Sequence, residues 1–241
     1  MRDSQYKLIV DAARERGATF PTQADWLRFK AAIDAAVQDN EPVPPSETLP
    51  LFDEAAFFAS MRGSKALGPT LSTEEVEGCQ AILTACRKAG WGMAWTAYAL
   101  ATAYHETAGT MRPIREYGRG KGRRYGRPGK HGQVAYGRGY VQLTWDTNYE
   151  KADRMLGLGG RLTANYELAL DPGIAADIMT RGMAEGWFTA RKLADTLPVH
   201  GPATMEQFRL SRPIINGRDK DALIARHAME FQRALAAGGW E

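Results

Sequence analysis

The amino-acid sequence predicts a mainly α-helical protein with a small insert of loops and strands. Four segments after residue 70 carry apolar residues at helical spacing, with capping or stop residues at their ends. Eight of the 25 glycines fall within residues 118–139, which marks that stretch as the loop-rich insert. A hydrophobic content of 44% against 24% charged residues excludes a wholly disordered chain.

Residues 1–41 are predicted to form a short helical segment of their own. Helical patterns run near Gln5–Arg16 and Gln23–Val37. Four prolines then fall within residues 42–50, so this stretch is predicted to be a stiff, extended linker. The helical segment is either an accessory binding module or a helical pair packed on the main domain, which we expect to span residues 51–241.

The first two helices after residue 70 are predicted from their end signals. Ser72 and Glu75 form a capping box, and Gly90 stops the helix that follows. The next helix covers Trp91–Glu106 and is ended by Gly109. The apolar stripe of the first helix consists of Val76, Cys79, Ile82, Leu83 and Cys86. Its two cysteines are separated by about 10 Å of helix rise, which excludes a disulfide between them.

Two later helices complete the main domain. Asp171 is an N-cap, and Pro172 occupies the first helical position. The last helix follows Asp219 and is ended by Gly238. The residues predicted to face inward are Ile174, Ile178 and Met183 in the first of these helices, and Ile224, Ala228, Phe231 and Leu235 in the second.

Positive charge is concentrated in one segment. The chain carries 31 Lys and Arg against 28 Asp and Glu, a net charge of +3. Residues 112–130 hold eight of these cations and a single acid, Glu116, so the rest of the chain has 23 cations and 27 anions, a balance of −4. Such a patch suits an anionic partner, either a charged polymer surface or a nucleic acid stacked on Tyr117 and Tyr125.

Several familiar kinds of site are excluded by missing residues. His105 and Glu106 lack the second histidine of a zinc-protease motif, because Gly109 stands in its place. Gly118 and Gly120 lack the third glycine of a dinucleotide-binding loop, and no phosphate-binding Gly-Lys-Ser/Thr follows them. Four scattered histidines and two cysteines on an apolar helix face predict neither a structural metal nor a cofactor.

Neither a membrane-spanning segment nor an export signal is predicted. The longest nearly apolar stretch, Trp91–Tyr104, is shorter than the roughly 20 residues that cross a bilayer. The first residues, Met1–Gln5, do not contain the apolar core of a secretory signal. We therefore expect a protein that accumulates in the cytoplasm without stable membrane insertion. We also expect it to be a monomer.

Glu106 is the first candidate for catalysis. It is predicted to end a mostly apolar helix, where the helix dipole and apolar surroundings both favour the protonated form of a carboxyl group. A carboxyl group kept neutral near pH 7 is what a general acid requires. The alternative is an exposed glutamate on the last helical turn.

Glu116 lies ten residues later and is the candidate partner. A turn after the helix would bring it across a cleft from Glu106. Two carboxyl groups about 6.5–9.5 Å apart form an inverting glycosidase site, whereas about 5 Å gives a retaining one. Arg115 and Arg119 would favour the ionised form that a base needs. The alternative is a solvated ion pair within the basic segment.

Polar groups later in the chain are candidates for substrate binding. Within residues 136–145, polar and apolar side chains alternate from Tyr140 onward. This pattern predicts either a strand with a polar face for a sugar or the attacking water, or an ordinary half-buried strand. The polar positions are Tyr140, Gln142 and Thr144, continued by Asn148, and the apolar ones are Val141, Leu143 and Trp145. Asn216, beside a glycine, either binds an acetamido group or caps the last helix.

Four short motifs follow one another along the main domain. They are His-Glu-Thr-Ala-Gly at 105–109, Tyr-Gly-Arg-Gly-Tyr-Val-Gln-Leu-Thr-Trp at 136–145 with Asn148 and Tyr149, Gly-Trp-Phe-Thr at 186–189, and Ile-Ile-Asn-Gly at 214–217. In this order they resemble the glycoside hydrolase family 19 chitinases, and more closely the compact phage and prophage endolysins related to them. The resemblance covers roughly residues 75–236.

The resemblance implies a lysozyme-like, mostly helical fold with a cleft between two lobes, and cleavage of β-1,4-linked N-acetylated sugars with inversion. It implies that Glu106 is the general acid of the His-Glu-Thr motif. The compact phage forms place a second acid at close to this separation, so Glu116 is our choice of base. Substrate- or water-binding roles are implied for His105, Tyr136, Arg138, Tyr140, Gln142, Thr144, Asn148 and Asn216.

We therefore expect a peptidoglycan muramidase of the endolysin type, which attacks the bacterial cell wall after release from the cytoplasm. Its partner is then the glycan strand of peptidoglycan and not nucleic acid, and residues 1–41 are a candidate wall-binding module. A chitinase with the same catalytic pair is the first alternative. A nucleic-acid-binding protein that uses the basic segment is the second, although it leaves the two carboxylates without a role.

Overall fold

The computed structural model describes residues 52–64 and 66–241 of the chain. The two short helices predicted within residues 1–41 and the linker predicted at 42–50 lie outside the described residues. The described part corresponds to the predicted main domain.

Helices predominate in the described residues, which confirms the predicted mainly α fold class. The helices are α1 (Glu54–Arg62), α2 (Thr73–Lys88), α3 (Met93–Glu106), α4 (Asp146–Met155), α5 (Arg161–Ala164), α6 (Pro172–Glu185), α7 (Met205–Ser211) and α8 (Asp221–Ala237). Short 3₁₀ helices occur at Tyr166–Leu170, Leu193–Asp195 and Arg212–Ile214. The strands β1 (Ile114–Arg115) and β2 (Arg138–Gly139) pair antiparallel, with Ile114 opposite Gly139.

The starts of α2 and α6 coincide with the capping residues that the sequence marks, whereas α3 begins at Met93 and not at the predicted Trp91. The Glu75 N–H donates to the Ser72 hydroxyl over 3.2 Å, and the Ser72 N–H donates to the Glu75 carboxylate over 2.7 Å, which completes the predicted capping box of α2. Asp171 caps α6 by accepting a hydrogen bond from the Ile174 N–H over 3.0 Å, and Pro172 occupies the first position. Both predicted starts are confirmed.

Two separate hydrophobic cores organise the described residues, as the predicted two-lobed domain requires. The larger core gathers the inward faces of α1, α2, α3 and α8, and it buries the four residues of α8 predicted to face inward. The smaller core lies around α4 and the 3₁₀ helix Tyr166–Leu170. Helix α6 joins the two, because Met179 and Met183 pack into the larger core and Ile178 into the smaller one.

The predicted strand over residues 136–145 is wrong in its length and in its alternation. Only the two-residue strand β2 forms; the chain then turns at Gln142, whose φ of 56° is left-handed, and pairs back on β2. The turn buries both Tyr140 and Val141 and leaves Trp145 44% exposed. Side chains alternate between two faces only while the backbone stays extended, so the pattern fails where the chain turns.

Gly78 marks a close approach of α2 to the chain after α3. A Cβ built on Gly78 would lie 1.8 Å from the carbonyl oxygen of Met111, whose own φ of 53° is left-handed. We expect Gly78→Ala to lower the free energy of unfolding by about 1–3 kcal/mol, because the buried backbone must shift. Urea denaturation measures the change. Gly63→Ala, where the nearest atom is 3.6 Å away, is the matched control, and equal midpoints for the two variants would contradict the packing.

Candidate active site

Glu106 is the last residue of α3, and its carboxylate contacts a buried arginine. Arg212 Nη1 donates to Glu106 Oε1 over 2.8 Å. The side chain of Arg212 is 2% exposed and that of Glu106 is 17% exposed, so water has little access to the pair. Among the described residues, no donor hydrogen-bonds to Glu106 Oε2.

Arg212 is held in place from a second side. Its Nε donates to the Asp219 carbonyl oxygen over 3.1 Å, and its Nη2 lies 3.7 Å from the Asp219 carboxylate. Arg212 is the first residue of the 3₁₀ helix that follows α7, and it lies 106 residues after Glu106 in the sequence. The predicted apolar surroundings of Glu106 are therefore wrong, because a distant part of the chain brings a guanidinium to the carboxylate.

Glu116 follows β1 directly and is held by two neutral donors. The Tyr125 hydroxyl donates to Oε1 over 2.9 Å, and the Gly137 N–H donates to Oε2 over 3.0 Å. The Glu116 N–H donates in turn to the Gly137 carbonyl oxygen over 2.7 Å, which clamps the residue against the chain that enters β2. Each carboxylate oxygen retains a lone pair that can accept a hydrogen bond from water.

The arginines on either side of Glu116 do not form ion pairs with its carboxylate. Arg115 Nε donates to Glu167 Oε2 over 2.9 Å, and Arg119 forms no ion pair with any described residue. Glu167 also accepts a hydrogen bond from Arg138 Nε over 2.9 Å. Burial alone would raise the pKa of Glu167, but the hydrogen bonds from Arg115 and Arg138 lower it below its ordinary value. The predicted role of the flanking arginines at Glu116 is therefore wrong.

Gln142 and Glu116 both lie against the face of Gly137 from which a side chain would project. A Cβ built on Gly137 would lie 2.8 Å from Gln142 Oε1 and 3.4 Å from the Glu116 Cβ. Gln142 Nε2 donates to the carbonyl oxygens of Ile114 and Gly139 over 3.3 and 3.2 Å, which fixes the amide. The structure thus brings together the predicted base and one predicted water-positioning residue, at a place where only a glycine fits between them.

The other binding residues predicted within residues 136–148 are buried or form hydrogen bonds within the fold. Thr144 Oγ1 donates to the Gln142 carbonyl oxygen over 2.8 Å, and Asn148 Nδ2 donates to the Thr144 carbonyl oxygen over 2.8 Å. Tyr140 is fully buried, and its hydroxyl has no partner among the described residues. Arg138 is 4% exposed and lies 3.6 Å from the ring centre of Tyr136, itself buried. Burial contradicts a direct substrate contact for Tyr136, Arg138 and Tyr140.

His105 and Asn216 lie next to the ion pair of Glu106 along the chain. His105 is half-buried, and burial is the largest cause that lowers its pKa below the ordinary value. Asn216 is exposed, and its N–H donates to the Arg212 carbonyl oxygen over 3.3 Å. Its Oδ1 accepts from the Gly217 N–H over 2.8 Å, and α8 begins only at residue 221, so the alternative in which Asn216 caps the last helix is wrong.

Three residues near the acids were not predicted as parts of this site. Sequence reasoning gave Arg212 no role, assigned Tyr125 to nucleic-acid stacking and placed Trp145 on a buried face. The ring of Trp145 lies 5.1 Å from that of Tyr125, centre to centre, and its φ of 75° is left-handed. A non-glycine backbone in this conformation costs about 1–3 kcal/mol per residue, and such residues are frequent at functional sites. Five of the seven left-handed non-glycine residues in the described part fall within residues 108–145.

Residues 52–64 and 66–241 contain neither a membrane-spanning helix nor a cluster of metal-binding side chains. Every helix in these ranges is too short or too polar to cross a bilayer. In the same ranges, no three His, Cys, Asp or Glu side chains come together as ligands for a metal ion. The residue types that could bind a metal are used elsewhere: His131 Nε2 lies 2.8 Å from Glu150 Oε1, and Cys79 and Cys86 are buried in α2.

Comparison with protein-family models and with curated proteins finds no match to this chain. Among solved structures, the chain is similar to chitinase C from Streptomyces griseus HUT6037, with 22% sequence identity over 79% of this chain and 78% of that one, at a TM-score of 0.47. It is also similar to a mutant of chitinase C, with 21% identity over 78% of this chain and 94% of that one, at a TM-score of 0.43. At TM-scores below 0.5, these similarities establish neither an activity nor a substrate for this chain.

Proposed function

We propose that this chain is a glycoside hydrolase that cleaves the β-1,4-linked N-acetylated sugars of bacterial peptidoglycan with inversion, as a muramidase of the endolysin type. Glu106 is the general acid and Glu116 the general base. The observation that carries the proposal is that both carboxylates are held in place with lone pairs left open. Glu116 is held by two neutral donors, and Glu106 is held by Arg212 on Oε1, while Oε2 has no donor among the described residues. A fixed carboxyl group with an open oxygen can accept a proton from water or pass one to a leaving group.

The arrangement around Glu116 suits a base that activates water. The Tyr125 hydroxyl and the Gly137 N–H fix the plane of the carboxylate, because each bonds a different oxygen. A water that donates to a remaining lone pair loses its proton to Glu116 as it attacks the anomeric carbon. The fixed Gln142 amide, beside the same glycine, supports a role in holding that water or the sugar.

The arrangement around Glu106 suits a directed proton donor. Arg212 occupies Oε1, so a proton taken up by this carboxyl group resides on Oε2. As the bond from the anomeric carbon to the glycosidic oxygen breaks, Oε2–H passes its proton to the leaving oxygen, and Arg212 stabilises the carboxylate that remains. The Asp219 carbonyl oxygen keeps the guanidinium in position throughout.

The choice of peptidoglycan draws on the motif order and on charge. Peptidoglycan carries carboxylates in its peptides, whereas chitin is uncharged, and a positively charged segment favours the anionic polymer. Trp145, exposed and strained beside Tyr125, offers an aromatic face on which a sugar ring can pack.

The experiment that tests this proposal supplies purified peptidoglycan and chitin oligomers to the full chain in parallel. Mass spectrometry of the released fragments is expected to find new reducing-end sugars from peptidoglycan. Release of free peptides without new reducing ends would contradict a glycosidase. Cleavage of chitin oligomers alone would replace the proposed substrate with chitin.

Tyr125→Phe removes one of the two donors that hold Glu116. We expect kcat to fall about tenfold with little change in KM, because a hydrogen bond to a charged group is lost while the ring contact with Trp145 remains. Steady-state kinetics on soluble peptidoglycan fragments separate the two constants. Tyr117→Phe, in the same loop but 85% exposed, is the control and should leave both constants unchanged. Equal kinetics for the two variants would remove Tyr125 from the site.

A further inference from the structure

A concave surface of about 610 Å³ lies in the loop between Glu116 and β2. We call it the basic pocket. Its lining residues are Lys121, Gly122, Arg123, Arg124, Gly126 and Arg127. Every lining residue is therefore either a cation or a glycine, and the proposed hydrolysis step uses none of them.

The cations of the basic pocket have no internal partner in the part of the chain that the structure describes. Other cations of the basic segment do: Arg112 lies 3.7 Å from Glu74, and Lys130 lies 2.8 Å from Glu150. The four side chains of the pocket are exposed and form no ion pair with a described acid. Four like charges held together without acids repel one another, so a bound anion would stabilise them.

The backbone of the loop is ordered by consecutive turns, so the pocket is built before any ligand arrives. The Arg123 N–H donates to the Gly120 carbonyl oxygen over 2.9 Å, and the Gly126 N–H donates to the Arg123 carbonyl oxygen over 3.0 Å. A Cβ on Gly126 would lie 1.8 Å from the Gly120 oxygen. This close contact requires glycine, and it brings the two ends of the turn series together.

We propose that the basic pocket binds the phosphate groups of an anionic polymer carried by the bacterial cell wall. Three arginines suit phosphate, because the planar guanidinium donates two parallel hydrogen bonds to a tetrahedral oxyanion. Gly122 leaves room for a ligand to approach the backbone, because no atom lies within 4 Å of a Cβ built there. The identity of the polymer rests on the proposed function, whereas the phosphate preference rests on the pocket alone.

Tyr125 connects the pocket to the site. The one aromatic residue between Lys121 and Arg127 is Tyr125, whose ring packs against Trp145 and whose hydroxyl donates to Glu116. A polymer bound in the pocket is therefore held next to the residue that positions the base.

The test uses a Glu106→Gln background, so that binding is measured without hydrolysis. In this background, Arg123→Gln, Arg124→Gln and Arg127→Gln are combined. The matched control removes the same charge at three exposed arginines elsewhere, Arg191, Arg226 and Arg233. Sedimentation then measures binding to purified walls before and after hydrofluoric acid removes their phosphodiester-linked polymers. Soluble poly(glycerol phosphate), polyglutamate and single-stranded DNA serve as competitors.

We expect the pocket variant to bind untreated walls at least about tenfold more weakly than the control variant, and the two to bind phosphate-stripped walls equally. Poly(glycerol phosphate) should compete more strongly than polyglutamate or DNA. Equal binding of the two variants to untreated walls would overturn the proposal. Stronger competition by polyglutamate would replace phosphate with carboxylate, and stronger competition by DNA would indicate a nucleic-acid site.

The same design separates failure of this proposal from failure of the proposed function. If the wild-type chain releases no sugar from peptidoglycan, but the phosphate-dependent difference in binding persists, the hydrolase proposal fails and the pocket assignment stands. If sugar is released and the variants bind alike, the pocket assignment fails alone.

Discussion

Glu106→Gln is expected to reduce the rate of peptidoglycan hydrolysis by about 10²–10⁴-fold, because an amide cannot donate a proton to the glycosidic oxygen. The substitution keeps the shape of the side chain, so KM should change little. Initial rates of reducing-end release measure the loss. A variant that retains more than about a tenth of the wild-type rate would exclude Glu106 as the acid.

The same substitution is also expected to lower stability, although it is nearly isosteric. Arg212 is 2% exposed, and the loss of the opposing charge leaves a buried guanidinium poorly compensated. We expect the free energy of unfolding to fall by about 1–3 kcal/mol. Glu206→Gln is a suitable control, because Glu206 is 64% exposed and also pairs with an arginine. Urea denaturation of both variants distinguishes an inactive folded protein from an unfolded one.

Glu116→Gln is expected to reduce the rate by a similar factor of about 10²–10⁴ while leaving stability almost unchanged. The new amide can accept a hydrogen bond from the Gly137 N–H through its oxygen and donate one to the Tyr125 hydroxyl through its nitrogen. Both existing partners therefore stay satisfied, in contrast to Arg212 in the other variant.

Addition of azide provides a second readout for Glu116→Gln. A small anion needs no base to attack the anomeric carbon, so it should restore bond cleavage and give a glycosyl azide product. The Glu106→Gln variant should not respond to azide when the leaving group is a sugar. A loss of less than about tenfold in Glu116→Gln, without a response to azide, would mean that another group activates the water.

The features that the sequence predicts correctly are those set by neighbouring residues. The capping box of Ser72 and the start of α6 at Asp171 depend on contacts three residues apart. The burial of α2 and α8 follows from apolar spacing along a single helix. These contacts join residues that are close in the sequence, so the sequence pattern alone predicts them.

The features that sequence analysis missed depend on distant contacts or on unusual backbone angles. Glu106 and Arg212 are 106 residues apart, and no spacing rule links them. The hairpin after β2 turns because Gln142 and Trp145 adopt left-handed φ values, which side chains of their kind rarely do. Sequence propensity assigns such residues to extended strands, so the polar face predicted for residues 136–145 does not form.

The configuration of the first sugar product tests the assignment of Glu106 and Glu116 as an inverting pair most directly. Proton NMR of a soluble β-1,4-linked peptidoglycan fragment, recorded early in the reaction before mutarotation, reports the anomer at the new reducing end. If water attacks from the face opposite to the leaving oxygen, the α-anomer forms first. Initial formation of the β-anomer would mean that a covalent intermediate or a different pair of groups performs the reaction, and would contradict this account.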